Sequence, residues 1–140
     1  MVNEKLKTEA EKFFKEHSFV HCPAFPGEKV YFNSKGFNHL FYKGDNRART
    51  HKEIVVRVGL LERAFKLLKM MPLAQEEDFI YREEKKITFW AFEGVVEGKR
   101  IKVIVRRRGT GYKLFWSVIP AWRKSKFGER RNSKGNLSGD

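Results

Sequence analysis

At 140 residues and 41% hydrophobic, with 13 Phe, 4 Tyr and 3 Trp, the chain suits one compact domain with its own core and leaves no room for a second. With 30 Lys and Arg against 17 Asp and Glu, its formal charge is +13, which makes a polyanion the expected partner. A single cysteine, Cys22, excludes an intramolecular disulfide and reads as a small buried hydrophobe.

The first 17 residues, MVNEKLKTEAEKFFKEH, lack the apolar core of a signal peptide, and the longest apolar-rich run, residues 54–61, contains Arg57. Neither secretion by that route nor membrane spanning is expected. Leu6, Ala10, Phe13, Phe14 and His17 recur at helical spacing and predict an opening amphipathic helix over residues 2–18. Residues 21–27, with two prolines and a glycine, read as an irregular connection. KVYFN at 29–33 is a short strand candidate ahead of the turn-prone Ser34, Lys35 and Gly36, whereas residues 37–42 are too short to classify. Gly44, Asp45 and Asn46 break the chain, Asp45 or Asn46 being available as a helix cap. From residue 50 to 71 the stripe Ile54, Val58, Leu61, Phe65, Leu68, Met71 predicts one long core helix, ended by Pro72.

Beyond Pro72 the period changes to two, and residues 78–82, 86–96, 99–107 and 113–120 read as a four-strand antiparallel meander. A two-residue loop, Glu97 and Gly98, pairs Gly94 with Ile101 and Ala91 with Ile104. That register puts Trp90, Phe92, Ile101, Val103 and Val105 on an apolar face, and Ile87, Phe89, Ala91, Glu93, Lys102 and Arg106 on the other. An even-numbered loop around Gly109, Thr110 and Gly111 adds Ser117 to the cationic face and Leu114, Trp116 and Val118 to the apolar one; an odd loop swaps them. The expected fold is α+β, with N-terminal helices packed on one face of a four-stranded antiparallel sheet whose cationic face stays open. Residues 123–140 are low in apolar content and rich in Gly, Ser and charge, so they read as a disordered basic tail, leaving +9 on a single domain at 1–122.

Cleaving RNA without a metal requires a base for the 2′-hydroxyl, an acid for the leaving 5′-oxygen and cations for the phosphorane. No Cys/His grouping has metal-ligand spacing and no glycine-rich loop ends in Gly-Lys-Ser/Thr, so neither metal nor cofactor is expected. Of the four histidines, His39 stands out by its place just before the basic loop that carries Arg47 and Arg49. Glu93 is the acid best placed as a base on the Lys102 and Arg106 face, and Arg47, Arg49 and Arg106 suit bidentate grip on phosphate oxygens.

The order helix, helix, meander, together with VYFNSKGFNHL, the basic NRART loop and KLFWSVIP in the last strand, resembles the barnase, EndoU, colicin and RelE-like nuclease superfamily, its phage-associated members above all. The resemblance covers about residues 28–122. It implies a barnase/RelE-like fold and a small metal-independent endoribonuclease, with catalytic groups on a sheet face, often deployed as a toxin against tRNA or mRNA. Carried over, the histidine before the basic loop is His39, the loop arginine Arg47 or Arg49, the strand arginine Arg106 and the last-strand hydroxyl Ser117; Glu93 fits the strand glutamate by face and order. Tyr112 and His51 are candidates for a further Tyr or His of the site.

The leading expectation is therefore a cytoplasmic endoribonuclease that leaves 2′,3′-cyclic phosphate. Glu93 or His39 acts as base, His39 or a partner as acid, and Arg47, Arg49, Arg106 and Lys102 hold the phosphate. An acidic antitoxin or immunity protein would complement its charge. The alternative is a non-catalytic nucleic-acid-binding module using the same cations, with Phe89 and Phe115 as stacking platforms.

Overall fold

The computed structural model describes residues 2–43 and 47–121. Asp45 and Asn46, and the tail assigned to residues 123–140, lie outside the described residues. The elements run α1 (Val2–Glu16), β1 (Phe19–His21), β2 (Lys29–Tyr31), α2 (Ser34–Phe41), α3 (His51–Gly59), α4 (Leu61–Met70), β3 (Glu76–Arg82), β4 (Lys85–Val96), β5 (Lys99–Arg108) and β6 (Lys113–Pro120). No helix among the described residues is long and apolar enough to cross a membrane.

The class is α+β, but the expected four-stranded antiparallel sheet with N-terminal helices packed on one of its faces is overturned. Six strands form one mixed sheet in the order β1-β2-β6-β5-β4-β3. Strands β1 and β2 fall between the first two helices as a short antiparallel pair, and β2 joins β6 in parallel through Val30 opposite Lys113 and Tyr31 opposite Leu114. Three-residue strands such as Phe19–His21 carry too little alternation to declare themselves in sequence. They form because Val20 and Val30 complete the hydrophobic core from the sheet edge, at 3% and 0% exposure.

The long helix is also two. Gly59 weakens the helix, and Leu60, at φ −101° and ψ −1°, both ends α3 and starts α4. The break lets each piece choose its own buried face: Ile54 in α3, and Leu61, Ala64, Leu67 and Leu68 in α4. Helix α4 packs on β4 and β5 closely enough that a Cβ at Gly94 would meet the Leu67 side chain at 2.8 Å. What reads as a turn at Ser34 to Gly36 is the start of α2, where the Asn33 side chain accepts the Lys35 N–H at 3.1 Å. Residue 36 must be glycine for a packing reason, since a Cβ there would collide with the Phe115 carbonyl oxygen.

The register of β4 on β5 follows the two-residue loop, with Gly94 opposite Ile101 and Ala91 opposite Ile104. The β5–β6 connection is odd, setting Leu114 opposite Arg106 and Phe115 opposite Val105, but a bulge between Ile104 and Val105 then returns Ser117 to the side of Ile104. Ser117 thus shares a face with Lys102, Ile104 and Arg106 as expected. Leu114 and Trp116 do not join the apolar face; Phe115 takes that place, stacked on Phe32 at 4.6 Å. Trp116 instead packs with Ile87, Phe89, Ala91 and Ile104 on the opposite side. That side is not open: Lys102 is 1% exposed, and Ile104 and Ser117 are fully buried.

Candidate functional site

Past Leu114 no strand among the described residues lies beside the edge of β6, and α2 and α3 pack there. This brings side chains from three elements onto the bulge. From α2, the His39 ring stacks on Trp116 at 4.1 Å with 19° between planes. From β5, the Arg106 guanidinium Cζ lies 4.1 Å from the centroid of the same Trp116 ring and 6.0 Å from Phe89. From α3, Arg57 Nη1 donates to Ser117 Oγ and, at 3.5 Å, to the Val118 carbonyl.

The loop after α2 turns back on itself. The Lys43 N–H bonds the Arg47 carbonyl at 2.6 Å, Tyr42 bridges Ala48, and the Arg49 N–H bonds the Phe41 carbonyl at 2.9 Å. Arg49 is thereby delivered beneath His39 and buried, its Nε donating to the His39 carbonyl at 2.8 Å and its Nη2 to His39 Nε2 at 3.0 Å. A guanidinium can only donate, so Nε2 accepts and the His39 proton resides on Nδ1. Behind Arg49 stands Glu53, 3.9 Å away, whose carboxylate also accepts the Thr50 N–H at 2.9 Å in a capping box. That backbone hydrogen bond first, and the charges of Lys43 and Arg49 after it, hold Glu53 below its ordinary value.

Arg106 is half-buried and its Nε has no hydrogen-bond partner. Burial, then the neighbouring charges of Arg82 and Arg108, push its guanidinium below its ordinary value. Like charges gathered around an unsatisfied guanidinium N–H make a position that an anion would relieve.

The predicted residues thus divide. His39, Arg49, Arg106 and Ser117 come together around Trp116. Lys102 lies on the same face but is committed to a buried ion pair with Glu76 at 3.2 Å. Glu93 faces Lys102, and its carboxylate pairs with Arg100 at 3.2 Å. Glu93 sits four residues along β4 from Phe89, the residue opposite Arg106, which at about 3.3 Å per residue is roughly 13 Å and too far for both to hold one phosphate. Arg47 is exposed, and its carbonyl accepts the Lys43 N–H. Phe89 and Phe115, offered as stacking platforms, are 3% and 0% exposed and cannot meet a base. Among the described residues no three His, Cys, Asp or Glu side chains are grouped to hold a metal.

Sequence reasoning missed Trp116, Arg57 and Glu76. Signals for two of them were in view: adjacent aromatics in KLFWSV break a period-two pattern where the bulge falls, and Arg57 is the one charge inside the apolar run 54–61. In comparisons with family models, curated proteins and solved structures, the chain matches none.

Proposed function

We propose that this protein is a metal-independent endoribonuclease of the barnase, EndoU, colicin and RelE-like kind, whose reaction centre is the Trp116 platform. The observation that carries this reading is the convergence on one indole of an imidazole with an assigned tautomer, His39, and a guanidinium with an unsatisfied N–H, Arg106. Proton transfer and phosphorane charge are the two needs of transesterification, and these groups serve one each. Neutral, with its proton on Nδ1, His39 takes the 2′-hydroxyl proton at Nε2 once substrate displaces Arg49 there, and the imidazolium so formed protonates the leaving 5′-oxygen. Arg106 holds the non-bridging oxygens, and Arg49 orients His39 from behind. Glu93 as the base finds no support in its distance, which leaves His39 to carry the proton from the 2′-hydroxyl to the leaving oxygen. The net charge of +13 favours RNA as the polyanion and an acidic antitoxin or immunity protein as the inhibitor of a cytoplasmic toxin.

A second reading, an RNA-binding module without chemistry, is favoured by one observation: Arg49 occupies Nε2 of His39 and both residues are 7% exposed. Hydrogen bonds in catalytic groups commonly rearrange when substrate binds, so this occupancy does not decide between the two. Cleavage of RNA in EDTA by the parent protein, and its loss on His39→Ala, tests the first reading against the second.

A further inference from the structure

At the end of the sheet nearest the β5–β6 turn, two clefts lie side by side and share Gly111 and Tyr112. The first, about 390 Å³, is walled by Lys35, Lys85, Arg108 and Leu114; the second, about 340 Å³, by Lys29, Tyr31 and Thr110. Tyr112 stands between them, 74% exposed, with its ring centroid 5.0 Å from that of Tyr31. The aromatic line continues to Phe19, 39% exposed and 6.4 Å from Tyr31, with Lys29 Nζ over its ring at 4.3 Å.

Two acids at the track are already paired. Glu28, which lines the second cleft, gives both carboxylate oxygens to the buried Lys113 ammonium at 2.8 Å, a bond that holds its carboxyl below the ordinary range. Glu83 pairs with Arg108 at 3.3 Å in an exposed bridge that a phosphate can displace, and Lys29, Lys35 and Lys85 are further exposed cations along the track. Exposed and half-buried rings interleaved with ammonium groups at a concave surface match a strand whose bases are unpaired: every base offers a π-face to a ring, and the backbone follows the positive charge. A duplex hides those faces inside its own stack. The track also leads to the site, because Leu114, in the wall of the first cleft, is paired with Arg106 of the Trp116 platform.

We propose that single-stranded RNA lies along this track, with successive bases stacked on Tyr112 and Tyr31 and its phosphates held by Lys29, Lys35, Lys85 and Arg108. The proposal rests on the reading of RNA as substrate and adds to it that the strand is unpaired where it enters. It explains why a side chain as large and apolar as Tyr112 stands exposed at a turn of an otherwise polar loop.

The test measures binding of a 2′-O-methyl single-stranded oligonucleotide, which cannot undergo transesterification, and of a blunt RNA duplex at the same ionic strength, by fluorescence anisotropy. Tyr112→Ala and Tyr31→Ala should each weaken single-strand binding by about 5- to 100-fold, Tyr112→Phe should restore it, and duplex binding should hold within about twofold. Equal losses for strand and duplex would reduce the surface to charge alone and overturn the proposal, as would unchanged single-strand binding in both variants. Polyglutamate bound with the same Tyr112 dependence would overturn it in favour of an acidic protein partner. Cleavage of natural RNA that ignores both tyrosines would sink the track and leave the ribonuclease standing; tyrosine-dependent binding without any cleavage would do the reverse.

Discussion

The Arg49 guanidinium holds His39 at two points, the carbonyl oxygen at 2.8 Å and ring Nε2 at 3.0 Å, while the other side of the story is the indole of Trp116 stacked on the same imidazole. Ring orientation and tautomer are thus set by separate elements, α2, the loop that returns Arg49, and β6. In imidazole ¹⁵N spectra, Nε2 should show the shift of an unprotonated nitrogen in the parent protein. Arg49→Lys should lose that signature and cost about 1 to 3 kcal/mol in urea, because the His39 carbonyl is left without its buried donor. A proton found on Nε2 in the parent would refute the assigned tautomer.

The close approach of α2 to β6 gives a second prediction. Gly36→Ala places a methyl group on the Phe115 carbonyl, so α2 must lift from the sheet edge, with an expected loss of about 1 to 3 kcal/mol. Gly59→Ala is a suitable control, because a Cβ there meets nothing within 4 Å. Comparable urea midpoints for the two variants would show that α2 does not sit where described.

Acid should act through Glu53. Its carboxyl is held below the ordinary 4.5 in the folded protein, so its stabilising contribution is complete above that value and is lost as pH falls through the lower folded value. Glu53→Gln keeps an acceptor for the Thr50 N–H but not the charge. The stability gap between parent and variant should therefore be widest near neutrality and close as pH falls from the ordinary carboxylate range through the lowered folded value. A gap that stays constant from pH 7 to 3 would show that the carboxylate charge contributes nothing.

Much of the sheet was legible because period-two patterning and a two-residue loop leave little freedom: β4 and β5 carry Trp90, Phe92 and Val103 on one face and Lys102 and Arg106 on the other. The bulge at Trp116 was not, because one inserted residue changes sides without changing composition. Strand β2 was legible as the candidate at 29–33, but β1, three residues long, was not, and neither was the parallel pairing of β2 with a strand more than 80 residues away, as in Val30 opposite Lys113. His39, Arg49, Arg106 and Ser117 could be named from type and order. Their gathering depended on α2 and α3 closing the β6 edge, a tertiary event that no local pattern announces.

Salt should govern binding before chemistry begins. With counterion release driving association, log affinity for single-stranded RNA should fall by about 0.7 per phosphate contact for each log unit of salt. Four cations on the track set an expected slope near −3. An affinity that ignores salt between 50 and 200 mM would remove the electrostatic basis of the account.

The central claim is tested most directly by incubating the purified protein with total RNA in EDTA and mapping the fragment ends. The account predicts 2′,3′-cyclic phosphate and 5′-hydroxyl ends, formed without metal and slowed by about 10² to 10⁴-fold on His39→Ala, while RNA binding by that variant changes little. Parent protein that binds RNA and cuts none of it, or cleavage that His39→Ala leaves at the parental rate, would contradict it.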